Sequence, residues 1–104
     1  MITIKNIRKE KPLNPWDVII CHPSVFGNKF VGKGGVVESE RDEVCDKYEI
    51  WFDENIQRLK PHLDLLYTKW KEYGILNLFC WCAPKRCHAE TIKRYLENNY
   101  EETI

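Results

Sequence analysis

A chain of 104 residues is long enough for one hydrophobic core and short for two, so a single domain spanning 1–104 is expected. A hydrophobic share of 43% with 12% aromatics excludes a disordered chain, and sixteen basic residues against sixteen acidic ones leave no net field to attract nucleic acid or an anionic membrane. The opening MITIKNIRKEK lacks the apolar segment of a signal peptide, no apolar run could span a bilayer, and the five Cys are an odd number.

Reduced thiols in a cytoplasmic protein are therefore expected, rather than a disulfide framework. Residues 2–7 alternate Ile2, Ile4 and, past Asn6, Ile7, the pattern of a short strand. A charged, Pro-containing connection follows, and then DVIIC, residues 17–21, is β-branched and apolar enough for a buried strand. The segment HPSVFGNKFVGKGG breaks regular structure; Gly27 and Asn28 best tolerate a left-handed backbone and predict a tight turn within residues 23–30.

Ser39 as N-cap with Asp42 three residues on predicts a helix start. Val44, Tyr48, Trp51, Phe52, Ile56 and Leu59 then form one apolar stripe at helical spacing. Pro61 suits the first turn of a second helix, whose Leu65, Leu66, Trp70 and Tyr73 are expected to face inward, with Gly74 as its C-cap. ILNLFCWC, residues 75–82, is the strongest strand, and Cys87 or His88 opens a last helix through Ala89, Ile92, Tyr95 and Leu96. The tail NNYEETI is polar and expected to fray. The order β-β-α-α-β-α implies a small α/β sandwich of two or three layers, with a short sheet and three to four helices.

Chemistry concentrates in CWCAPKRCHAET, where a strand meets a helix. Free amides and partial positive charge at a helix start favour an anion, and Lys85 and Arg86 add to that field, which should also lower the Cys87 pKa. Cys80, Cys82, Cys87 and His88 are zinc-ligand types, but C-x-C-x4-C-H lacks the paired C-x2-C of structural zinc sites; no resident cofactor is expected. Cys80 and Arg86 have the C-x5-R spacing of a cysteine phosphatase, yet Pro84 removes an amide that such a loop needs. Cys87 and His88 could act as nucleophile or acid/base with Glu90 or His22, though adjacent residues seldom point at one another. The plainest role for His88 is to hydrogen-bond its own loop. At the other turn, Phe26 and Phe30 either plug the core or wall a pocket, and Asn28 offers a donor and an acceptor to a ribose or base.

Three motifs together carry a family resemblance. They are Pro23, Ser24, Phe26, Gly27, Asn28 and Phe30; Ser39, Arg41, Asp42, Glu43 and Tyr48; and Cys80, Trp81, Cys82, Ala83, Pro84, Cys87 and His88. Over about residues 17–96 the chain resembles the family called domain of unknown function 4326, common in bacteriophage and bacterial genomes. Lys29 departs from its usual Pro, and His22 from its usual Arg or Gly. The resemblance implies a Rossmann-like nucleotide-handling module without an established reaction.

The expectation is a binding module for a nucleotide derivative of ADP-ribose or cyclic-nucleotide type, which in a phage would sequester a host immune signal. The expected ligand-contacting set is Ser24, Phe26, Gly27, Asn28, Phe30, Arg41, Trp81, Ala83, Pro84, Lys85, Cys87 and His88, with a homodimer able to complete a shallow cleft. The alternatives are a hydrolase or glycosidase using His88, Cys87 and Glu90, and a zinc-stabilised interaction domain. All place the two turns side by side around one hollow.

Overall fold

The computed structural model describes residues 1–21, 24–31 and 35–100. Pro23 and His22, both named above, lie outside the described residues. Three strands, β1 (Ile2–Asn6), β2 (Asp17–Ile19) and β3 (Leu76–Cys80), form a parallel sheet in the order β1-β3-β2. Ile2 pairs with Leu76 and Asp17 with Asn77, so the last strand in sequence is central in space.

Side chains alternate across a strand, so Leu76, Leu78 and Cys80 share one face with Ile2, Ile4 and Val18. The helices α1 (Arg41–Glu54), α2 (Ile56–Tyr73) and α3 (Ala89–Asn99) pack there, bringing Tyr48, Phe52, Leu59, Leu63, Leu66, Trp70, Ile92 and Leu96 into a single cluster. Residues 7–16 must return from the carboxyl end of β1 to the amino end of β2, crossing β3 on the way. The Lys5–Glu10 ion pair (3.3 Å) ties the start of this strap to β1, and its end meets α2 through Lys69 Nζ on the Pro15 carbonyl and Trp16 against Tyr73. β3, paired on both edges, is buried along its whole length, which is why its sequence is a continuous apolar run broken only by Asn77. The expected α/β class holds, with three helices and a three-stranded parallel sheet.

Several local expectations change. The joint between the first two helices lies at Asn55, not Pro61. The Asn55 amide N–H and its Nδ2 both donate to the Trp51 carbonyl, closing α1, and the Asn55 carbonyl accepts from Arg58 and Leu59, opening α2. One Asn therefore serves both ends, and Pro61 sits inside α2. Leu65 is 66% exposed and Tyr73 is also exposed, because the inward stripe of α2 runs through Leu59, Leu63, Leu66 and Trp70.

Ser39 caps nothing. It lies in a single 3₁₀ turn, Glu38–Glu40, that leads into α1 with Glu40 as N-cap. Gly74 does end α2 in the left-handed conformation (φ 72°), donating to Trp70. Tyr100 is not frayed: its ring stacks on Tyr67 and its hydroxyl donates to Asp64.

Candidate functional site at the carboxyl end of the sheet

Parallel strands deliver all their exits to one end of the sheet, so the segments after β1, β2 and β3 meet there. This is where open α/β sheets usually hold ligands. The loop after β3 is fixed by its neighbours. Asn6 Nδ2 donates to the carbonyls of Trp81 (3.2 Å) and Ala83 (2.9 Å), and the Ile7 amide donates to Cys80. The Ala83–Pro84 peptide is cis. From the other side, Arg41 Nη1 donates to the Arg86 carbonyl (2.9 Å) while its guanidinium holds Glu38 and lies against the Cys82 thiol.

The turn after β2 lies where its sequence suggested, but neither Gly27 nor Asn28 takes the left-handed backbone expected of it; side-chain and backbone hydrogen bonds close the turn instead. The Ser24 hydroxyl accepts from the Phe26 amide, Gly27 donates to the Ser24 carbonyl, and Asn28 Oδ1 accepts from Phe30. Asn28 Nδ2 is spent on the Val44 carbonyl (3.3 Å), so both ends of that amide serve the fold. Phe26 is buried and plugs the core; Phe30 is half-buried, with Lys29 Nζ 5.5 Å above its ring.

The two turns are neighbours, joined through Tyr48. Its buried hydroxyl donates to the Phe26 carbonyl (2.8 Å), and its ring meets the His88 imidazole edge-on at 5.0 Å. His88 in turn donates from Nε2 to the Ile20 carbonyl at 2.8 Å. Phe26, Tyr48, Cys87 and His88 are all buried, so the ground between the turns is packed side chain. The expected common hollow is displaced to the flanks. Beyond the loop, Ala83, Pro84, Lys85, Glu90 and Lys93 face Met1 and the first residues of β1, Ile2 to Ile4, across a groove of about 490 Å³. Beyond the turn, Phe30, Val31, Val37, Glu40 and Val44 border a hollow of about 270 Å³.

Electrostatics at the start of α3 also differ from expectation. Arg86 is held by Asp42 (3.0 Å) and Asp46 (2.8 Å) and Lys85 by Glu38 (3.3 Å), so carboxylates answer the charges expected to attract an anion. The Cys87 pKa is raised, not lowered, because the buried thiol donates to Cys80 Sγ at 3.1 Å. The lowered thiol is Cys80, which receives that bond together with hydrogen bonds from the Cys82 and Ala83 backbone. Burial holds His88 below the usual imidazole range.

The three catalytic candidates thus point apart: Cys87 to Cys80, His88 to Ile20, and the exposed Glu90 to the groove beside β1. The zinc set is likewise split by the turn of His88 toward Ile20, and no group of three such side chains among the described residues is placed to hold a metal ion.

Two features were missed in the sequence. Trp81 is 51% exposed, its indole donating to the Cys21 thiol, and the Arg8 guanidinium lies 5.2 Å over its ring. In the sequence Arg8 is only part of a charged connection, and its place just past the carboxyl end of β1 is the one signal that sets it beside the loop. Asn6, likewise unremarked, is the residue that holds the loop in place.

No helix among the described residues is long and apolar enough to cross a membrane. No curated protein and no solved structure matches the chain. The profile described as Domain of unknown function (DUF4326) matches residues 4–98, taking in the end of β1, the three motifs and nearly all of α3. With nearly its whole length inside that match, the chain belongs to this family.

Proposed function

We propose that the chain is a binding module for a small nucleotide-type ligand, held on the outer side of the loop after β3. The observation that carries this reading is Trp81, a large aromatic side chain kept half exposed at the end of the central strand. The indole hydrogen bond to Cys21 fixes it from behind, and Arg8 lies over its ring. A fixed aromatic face stacks any base, at about 1–3 kcal/mol per base, and a guanidinium beside it suits a phosphate or pyrophosphate. The groove of about 490 Å³ on the β1 side of the same loop, with Lys85, Glu90 and Lys93 on its wall, has the size of a small-ligand site.

The divergence of the candidates, with Cys87 and His88 buried and turned to Cys80 and Ile20 while Glu90 is exposed, supports holding a ligand over transforming it. Calorimetry with nucleoside mono- and diphosphates, ADP-ribose and cyclic nucleotides tests the proposal. At least one should bind, quench Trp emission and return chemically intact after denaturation. Trp81→Ala should weaken that binding about tenfold while leaving the fold in place, as expected for loss of one stacked base. Heat from no member of the panel would end the reading, and product formation would replace it with a hydrolase or glycosidase.

A further inference from the structure

All five cysteines of the chain gather at the carboxyl end of the sheet. Cys82 is within electrostatic reach of Cys45 and Cys87, and Cys21 is within reach of Cys80 and Cys82. Each is a free thiol. One pair differs from the rest: Cys80 ends β3, Cys87 precedes the cap of α3, and their sulfurs lie 3.1 Å apart in a thiol–thiol hydrogen bond. A disulfide needs about 2.05 Å between sulfurs, so a closure of about 1 Å would join them.

We propose that Cys80 and Cys87 form an oxidisable dithiol, whose co-substrate is a peroxide small enough to enter a packed site. Cys80 is the attacking sulfur. Two backbone N–H groups and the Cys87 thiol stabilise its negative charge, and the thiolate is the nucleophilic form. The Cys80 thiolate attacks one peroxide oxygen, the O–O bond breaks, and the departing hydroxide takes a proton to become water. Cys80 is then a sulfenic acid. The Cys87 sulfur, already in contact, attacks the Cys80 sulfur; the S–O bond breaks and the hydroxyl leaves with the Cys87 proton as a second water. Two thiols are oxidised and one peroxide is reduced. Cys21 and Cys45 compete poorly, since burial raises the pKa of both.

Hydrogen peroxide added to the folded chain near neutral pH, followed by alkylation and tryptic mapping, tests this directly. Lys85 and Arg86 lie between the two cysteines, so trypsin separates them and a cross-link appears as two joined peptides. The expected result is a loss of about 2 Da, reversed by dithiothreitol, with Cys80 joined to Cys87. Cys87→Ser should abolish the link and leave a dimedone-reactive sulfenic acid at Cys80, while Cys82→Ser should keep the link. Five alkylatable thiols after treatment, or a link involving Cys21, Cys45 or Cys82, overturns the proposal. So does a Cys80–Cys87 link that forms only as the far-UV circular dichroism is lost. Mapping of the unmutated chain decides alone if Cys87→Ser fails to fold.

Discussion

Tyr48→Phe removes one oxygen from the centre of the molecule and nothing else. The Tyr48 ring stays packed against Phe52, Trp51 and His88, so no cavity larger than a hydroxyl is made. What goes is the 2.8 Å hydrogen bond from α1 to the Phe26 carbonyl, while the Asn28–Val44 bond between the same turn and α1 remains. A neutral hydrogen bond contributes about 1 kcal/mol net, and stranding a buried acceptor raises the loss to about 1–3 kcal/mol. Taking about 2 kcal/mol and a urea m-value of about 1.5 kcal/mol per molar for a domain of this size, the midpoint should fall by about 1.3 M.

Urea unfolding followed by circular dichroism at neutral pH reads this directly. Tyr73→Phe, at an exposed position, serves as the control and should shift stability by less than about 0.5 kcal/mol. A Tyr48→Phe midpoint indistinguishable from that control, at unchanged m, would refute the claim that this hydroxyl ties the two turns together.

Two further perturbations probe the same end of the sheet. Burial holds the folded-state pKa of His88 below its ordinary 6.5, so the unfolded chain takes up a proton that the folded chain resists. The stability from neutral His88 is complete above 6.5 and lost as pH falls through the folded value. Urea midpoints measured from neutral pH downward should decline for the natural chain and less steeply for His88→Gln; equal slopes would dismiss His88 as the cause. Asn6→Ala, which deletes the bonds to Trp81 and Ala83, should cost about 1–2 kcal/mol and speed amide exchange through residues 81–86. Unchanged exchange there would show that the loop is held by other contacts.

What the sequence made legible followed from periodicity and from backbone chemistry. The alternation of Ile2 and Ile4, the apolar run into Cys80, the stripe from Val44 to Phe52 and the glycine stop at Gly74 all appear as elements near their expected places. The helix joint was hidden because Pro61 is a stronger local signal than Asn55, whereas the actual break is made by an Asn that bonds back to Trp51 and forward to Arg58. The site was legible as a place and not as a set of contacts. Residue types around Cys87 and His88 are the same whether they face a ligand or a core, and only the pairing of Arg86 with Asp42 and Asp46 reveals where the charge goes. Arg8 over Trp81 joins positions far apart in sequence, which no local pattern reports.

The strand order has a consequence for how the chain acquires its shape. β1 and β2 are separated by β3 and share no ladder, so neither has a sheet partner while the first seventy residues leave the ribosome. Every rung of the sheet joins the opening of the chain to residues 76–80, and such distant pairings close slowly. The helical hairpin α1–α2 can gather first, with the arrival of β3 completing the domain in a single late step.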